Sequence, residues 1–129
     1  MKKSFLIGLL FFVLVSCEKN NTEKAPIVGI WVETTQKTDT LVFDDRVAMV
    51  NLNRGTEIRN GYLLPKYSSG LYSYELKQDS ISLRWLLSSS SYGNNYFFKI
   101  ELENDQLKIG NFFVDSLDKH ATLTFSRID

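Results

Sequence analysis

Apolar and polar residues alternate along most of this 129-residue chain, in short segments separated by residues that favour turns. From Pro26 onward no apolar repeat of 3.6 residues persists over a helix-sized window, whereas alternation with a period of two is frequent. Residues 81–87, for example, place Ile81, Leu83 and Trp85 on one face of a strand. The pattern predicts eight strands, at residues 27–33, 39–43, 47–52, 71–77, 81–87, 96–103, 107–114 and 121–128.

The lengths of the connections predict how these strands are arranged. If each strand pairs with the next, the tight turns rich in Asp and Asn all lie at one end of the sheet, at residues 44–46, 78–80 and 104–106. The long connections then all lie at the other end, at residues 34–38, 53–70, 88–95 and 115–120. This asymmetry is typical of a closed barrel with a base and a mouth, and closure removes both sheet edges. We therefore expect an all-β fold, an eight-stranded antiparallel up-and-down barrel.

The N-terminal residues have a different composition from the rest of the chain. Lys2 and Lys3 precede eleven apolar residues at 5–15, which are too few to span a bilayer but suit the apolar centre of a secretory signal peptide. This segment ends in Leu14-Val15-Ser16-Cys17, which resembles the lipobox of bacterial lipoproteins.

The lipobox resemblance implies a lipid anchor and a position in the cell. Residues 1–16 would be a cleaved signal peptide, and Cys17 would carry a diacylglycerol and further acylation, a stable anchor because it holds more than one chain. Residues 17–25 are polar and predict a flexible tether, which leaves residues 26–129 as the folded domain. Glu18 is not the aspartate associated with inner-membrane retention, so we expect the outer membrane, in a leaflet that the sequence leaves open.

Composition excludes several classes of protein. The chain has 15 basic and 15 acidic side chains, and without Lys2 and Lys3 it has 13 basic against 15 acidic. A nucleic-acid-binding domain would carry a basic surplus, so we expect no nucleic-acid partner. Cys17 is the only cysteine, which excludes an intramolecular disulfide and a cysteine-rich zinc site. About 100 residues suffice for one core without such cross-links.

Two short motifs connect the predicted barrel with a known superfamily. Gly29-Ile30-Trp31 in the first strand resembles the Gly-x-Trp signature of the lipocalin and calycin superfamily, and Arg127 matches its C-terminal arginine. The resemblance is greatest to short lipocalin-like domains of bacterial lipoproteins. It implies that Arg127 packs across Trp31 at the closed end of the barrel, and that Gly29, Trp31 and Arg127 are structural residues.

The sequence contains no arrangement typical of an enzyme. His120 is the only histidine, so a multi-histidine metal site is excluded, and neither a nucleophile elbow nor a phosphate-binding loop occurs. Glu101, Glu103 and Asp105 alternate along one strand and its turn, as expected for an exposed face. We predict a protein that is not an enzyme, with no metal site and no cofactor.

Aromatic and aliphatic residues on the mouth loops favour a binding function instead. The candidate ligand-binding residues at the mouth are Tyr62, Leu63, Leu64, Tyr67 and Tyr92. They would form a recognition surface, unless Leu63 and Leu64 fold back to plug the barrel. Eight strands enclose space for side chains or one small ligand, and the large aromatic residues facing inward favour a filled core.

Two functional hypotheses follow from this pattern. The first is a membrane-anchored lipocalin-like lipoprotein that binds a small apolar or amphipathic ligand at the barrel mouth. The alternative is an envelope protein–protein interaction module, of inhibitor or immunity type, with a filled core. The expected partners are the membrane, through the lipid on Cys17, and either a small apolar ligand or an envelope protein.

Overall fold

The computed structural model describes residues 26–87, 96–113 and 121–128, which form ten β-strands and no helix. The strands are β1 (Gly29–Glu33), β2 (Thr40–Asp44), β3 (Met49–Asn53), β4 (Thr56–Arg59), β5 (Tyr62–Pro65), β6 (Gly70–Lys77), β7 (Ser80–Trp85), β8 (Phe97–Glu103), β9 (Gln106–Gly110) and β10 (Thr122–Arg127).

Eight of these strands close into an antiparallel barrel. Their order around the barrel is β1-β10-β9-β8-β7-β6-β3-β2, so each strand neighbours the barrel strands next to it in the chain, and β10 closes on β1. The predicted eight-stranded up-and-down barrel is confirmed. Within the described residues the strands begin and end within two residues of their predicted bounds, except that β9 ends at Gly110, whereas the prediction extended this strand to residue 114. Strands β4 and β5 were not predicted, and they form a separate two-stranded sheet inside the long connection at residues 53–70.

The barrel is filled by the inward-facing residues of its strands. In β1, Trp31 is fully buried and its neighbour Ile30 is 36% exposed. In β2, Leu41 is fully buried and its neighbour Val42 is 40% exposed, so alternate side chains face inward. The buried apolar core comprises Ile27, Trp31, Leu41, Phe43, Val50, Leu52, Tyr72, Ile81, Leu83, Ile100, Leu107, Ile109, Phe113 and Phe125. The sequence-based expectation of a filled core is consistent with this packing.

The two ends of the barrel differ as predicted. At the base, tight turns join β2 to β3, β6 to β7, and β8 to β9, and Ile27 packs into the core there with 3% of its surface exposed. At the mouth, the connection between β3 and β6 carries the additional hairpin. Of the other three long connections predicted at this end, the one at residues 34–38 is described, whereas residues 88–95 and 114–120 lie outside the described residues.

Candidate binding surface at the barrel mouth

Strands β4 and β5 form a tight β-hairpin above the mouth, which we call the mouth hairpin (residues 56–65). The turn consists of Asn60 and Gly61, whose φ angles of 53° and 82° are both in the left-handed region. This is the backbone of a type I′ turn, in which an Asn-Gly pair is favoured because both residues tolerate positive φ. Four residue pairs then align across the strands, among them Ile58 with Leu63 and Glu57 with Leu64.

Large apolar side chains of this segment are exposed rather than packed. The exposed fractions are 76% for Ile58, 71% for Tyr62, 69% for Leu63, 67% for Tyr67 and 38% for Leu64. Leu63 and Leu64 therefore do not plug the barrel. Scattered exposed apolar residues are ordinary, but a contiguous group on one projecting element marks an interaction site.

Arg54 fastens this segment to the barrel rim. Its Nη1 donates to the carbonyl oxygen of Tyr67 at 2.8 Å, and its Nε lies 3.6 Å from the Oδ2 of Asp39 at the start of β2. The guanidinium also lies 4.8 Å from the ring centroid of Phe113, after β9. One half-buried cation thus joins three separate parts of the mouth.

Two aromatic residues of the barrel form hydrogen bonds to the segment that leads from the mouth hairpin into β6. The hydroxyl of Tyr72 donates to the carbonyl oxygen of Ser68 at 2.7 Å, and the indole nitrogen of Trp85 donates to that of Ser69 at 3.2 Å. Burial raises the pKa of Tyr72 to about 12, so its hydroxyl keeps the proton it donates. Tyr72 and Trp85 are stacked, with centroids 6.3 Å apart, and together they close part of the mouth.

Arg59 stiffens the hairpin from within. Its Nη2 donates to the carbonyl oxygen of Pro65 at 2.7 Å, and its guanidinium lies 3.9 Å from the ring centroid of Tyr67. Its Nε lies 3.0 Å from Oε1 of Glu57, the neighbouring position on the same face of β4. Through these contacts Arg59 connects β4 with the end of β5 and with Tyr67.

The connection at residues 53–70 and the turns at the base differ in their charged residues. Residues 53–70 at the mouth contain Arg54, Arg59 and Lys66 but only one acidic residue, Glu57. The base turns, at residues 44–48, 78–79 and 104–105, contain four aspartates and one arginine. Arg54 and Arg59 pair with Asp39 and Glu57, so Lys66 is the basic side chain of this connection that an acidic group of a partner would complement.

A second rim feature is the carboxylate of Glu33 at the end of β1. Its two oxygens accept hydrogen bonds from the backbone N–H groups of Thr35 and Gln36, at 2.8 and 2.7 Å. Burial opposes ionisation, but these amide hydrogen bonds outweigh it and lower the pKa of Glu33 below its usual value. The ionised carboxylate of Glu33 therefore fixes the backbone of the loop at residues 34–38 by accepting its hydrogen bonds.

Two concavities of the described residues lie on the outer wall and at the base of the barrel. One of about 580 Å³ follows the outer wall at β8, β9 and β10, and is lined by Tyr96, Phe98, Lys99, Glu101, Lys108, Gly110, Thr122 and Thr124. Another, of about 380 Å³, lies at the base and is lined by Pro26, Ile27, Leu76, Gln78, Asp79, Ile100 and Leu102.

The described residues provide no centre for metal chemistry. No group of three or more potential histidine, cysteine or carboxylate ligands occurs among them. Glu101 forms ion pairs with Lys99 at 2.8 Å and with Lys108 at 3.6 Å, and Asp105 pairs with Arg127.

Among the described residues no helix has the length and hydropathy required to cross a membrane. His120 lies outside the described residues.

The structure brings together four of the five candidate mouth residues. Tyr62, Leu63 and Leu64 belong to β5 and Tyr67 follows it, whereas Tyr92 and the lipidation candidate Cys17 lie outside the described residues. The signature residues Gly29, Trp31 and Arg127 belong to β1 and β10, with Arg127 near the base.

Sequence reasoning missed two residues of this surface. Among the described large apolar residues Ile58 is the most exposed, and the Asn60-Gly61 pair that places it opposite Leu63 was a readable hairpin signal. Arg54 had no comparable signal, because its partners Asp39 and Phe113 are distant in the sequence.

Comparison of the chain with protein-family models, with curated protein sequences and with solved structures gave no match.

Proposed function

We propose that this chain is a lipid-anchored protein of the cell envelope, with a lipocalin-like barrel, that binds a protein partner through its mouth hairpin. One observation carries the proposal: a hairpin with Ile58, Tyr62 and Leu63 about 70% exposed projects above a barrel filled by its own side chains. A filled interior leaves the outside of the barrel as the place for recognition. This supports the interaction-module hypothesis over a ligand held inside the barrel.

The lipid anchor and the outer-membrane position rest on the sequence. The motif Leu14-Val15-Ser16-Cys17 follows a short apolar segment, and the polar residues 18–25 lead to Pro26. Pro26 lines the concavity at the base, at the end opposite the mouth hairpin. A tether entering at the base leaves the mouth free to meet its partner.

We propose a binding role without catalysis. Two of the three basic side chains at residues 53–70 have a local structural partner: Arg54 pairs with Asp39, and Arg59 with Glu57. A general acid or base needs a titratable group poised beside the substrate, and this arrangement instead fastens one loop to another.

A matched pair of variants tests the proposal. Ile58 at the mouth is 76% exposed and Ile128 near the base is 63% exposed, so serine at either position removes similar surface apolar area. We expect Ile58→Ser to reduce the amount of partner protein isolated with the chain from its native membranes at least tenfold, and Ile128→Ser to leave it unchanged. Equal recovery of one partner with both variants would contradict a hairpin-centred surface.

A small amphipathic ligand is the second candidate, and one observation favours it. The concavity of about 580 Å³ on the outer wall combines the aromatic rings of Tyr96 and Phe98 with Lys99 and Lys108. Gly110 allows the Phe98 ring to pack closely against β9, since a Cβ at this position would lie 2.8 Å from Cδ1 of Phe98. Such a site would take a ligand with an apolar part and an anionic group. Mass spectrometry of an organic extract of the purified chain tests this, and a stoichiometric ligand lost in Tyr96→Ala is the supporting result.

A further inference from the structure

The mouth hairpin exposes large apolar side chains on both of its faces, and one of these faces also carries the ion pair of Glu57 and Arg59. Directly paired residues share a face, so Ile58 and Leu63 lie on one side of the hairpin while Leu64 lies on the other, with Tyr62. Both sides expose large apolar groups, 69% of Leu63 and 71% of Tyr62. A hairpin that docked flat on a surface would need one apolar face only. Covering both faces requires walls on two sides.

The outer backbone edges of the hairpin indicate whether it enters a protein or a lipid environment. Strands β4 and β5 pair only with each other among the described strands, so each has an outer edge that no described strand covers. An open sheet edge is not tolerated in the hydrocarbon of a bilayer, where nothing satisfies its N–H and C=O groups. A protein cleft can satisfy them, by pairing a strand or side chains with the edge. The edges therefore favour a protein cleft over a lipid surface.

The hairpin is also stiff enough to enter a cleft without refolding. Its turn is a two-residue type I′ turn, and its root is fixed by the bonds from Arg54 to Tyr67 and from Tyr72 to Ser68, of 2.8 and 2.7 Å. Preorganisation of this kind lowers the entropy lost on binding, because the bound shape already exists in the free protein.

Charge specifies the entrance of the cleft. Of the three basic side chains at residues 53–70, Arg54 and Arg59 pair with Asp39 and Glu57, and Lys66 lies at the root of the hairpin. Charged groups at the rim of an interface steer encounter with a surface of opposite sign. An entrance lined with carboxylates complements this root.

We propose that the mouth hairpin inserts as a two-sided wedge into a cleft of the partner protein that has apolar walls and an acidic entrance. The inference rests on the proposed function and adds the shape and charge of the partner site. Leu63 and Leu64, as neighbours on β5, face opposite walls of that cleft.

Photo-crosslinking of the full-length chain in its native cells tests the wedge. A photoreactive phenylalanine analogue replaces Leu63, Leu64 or, as the control, Ile128. We expect the analogues at Leu63 and Leu64 to crosslink the same protein, at two separate segments of its sequence, and the analogue at Ile128 not to crosslink it. Crosslinks from Leu63 alone would overturn the wedge and leave flat protein binding, and so the proposed function, intact.

Other outcomes separate the wedge from the proposed function as a whole. Lipid adducts, crosslinks to a second copy of this chain, or a partner captured only at Ile128 would overturn both. The acidic entrance has its own test, in which Lys66→Glu lowers the crosslinking yield from Leu63 at least tenfold and Lys77→Glu, near the base, does not. Equal yields in these two variants would overturn the acidic entrance.

Discussion

The guanidinium of Arg127 lies 4.3 Å from the ring centroid of Trp31, and the two residues face each other directly across β10 and β1. Both residues are also tied to the chain that enters the barrel. Arg127 donates to the carbonyl oxygens of Val28, at 2.7 Å, and Pro26, and the Trp31 indole donates to that of Ile27 at 2.8 Å. The pair therefore closes the barrel and fixes residues 26–28 beneath it.

Replacing Arg127 by alanine should destabilise the barrel by about 2–4 kcal/mol. The change removes a cation–π contact of about 0.5–2 kcal/mol and leaves two carbonyl groups without a charged donor. Urea unfolding of the purified chain in detergent measures the difference. Arg84→Ala, at an exposed position of β7, is the control and should cost about 0.5 kcal/mol or less. Equal losses in the two variants would contradict the role assigned to Arg127.

Two leucines distinguish the filled core from the exposed hairpin. Leu41 is fully buried and Leu63 is 69% exposed. Leu41→Ala should therefore lower the free energy of unfolding by about 2–5 kcal/mol, because it leaves a cavity, and Leu63→Ala by about 0.5 kcal/mol or less. Thermal unfolding of both variants tests this, and a large loss for Leu63→Ala would mean that Leu63 belongs to the core.

The eight barrel strands could be predicted because each segment obeys one rule, alternation bounded by turn residues. Strand β8, for example, follows from Lys99 and Glu101 alternating with Ile100 and Leu102. The mouth hairpin carried an equally local signal in Asn60-Gly61, but its apolar residues are consecutive in β5 and conceal the alternation. Tertiary contacts such as that of Arg54 with Phe113 could not be predicted from local patterns, since only the closed barrel brings these two segments together.

The stability of the barrel should depend on the ionisation of Glu33. Its pKa is lowered in the folded protein by the amide hydrogen bonds from Gln36 and Thr35, which outweigh the opposing effect of burial. The carboxylate therefore stabilises the fold above the pKa of an unfolded glutamate, about 4.3, and the contribution disappears as the pH falls through the lower folded value.

Glu33→Gln tests this dependence on pH. At pH 7 the variant should be less stable by about 1 kcal/mol, the typical net value of such a hydrogen bond, and below pH 4 the difference from the original chain should shrink. Urea unfolding at pH 7 and pH 3 provides the measurement. Glu75→Gln, which removes an exposed pair with Lys77, should change little at either pH. A difference for Glu33→Gln that does not vary with pH would contradict the assignment.

Arg54→Met should loosen the mouth hairpin more than the barrel. The variant keeps the aliphatic length but loses the bond to the Tyr67 carbonyl and the pairing with Asp39. Hydrogen exchange followed by mass spectrometry should show amides of residues 56–65 exchanging at least tenfold faster, with the β9 and β10 amides unchanged. Arg46→Met, which removes an exposed pair with Asp44 at the base, is the control. Unchanged exchange in the hairpin would show that Arg54 does not fasten it.

Recognition on the mouth hairpin, outside the barrel and its packed core, is tested by native mass spectrometry of the full-length chain, purified gently from its native cells. We expect a complex with one protein partner, lost in Ile58→Ser and kept in Ile128→Ser, with no stoichiometric small molecule on the dissociated chain. A chain that carries one small molecule per copy and no protein would contradict it.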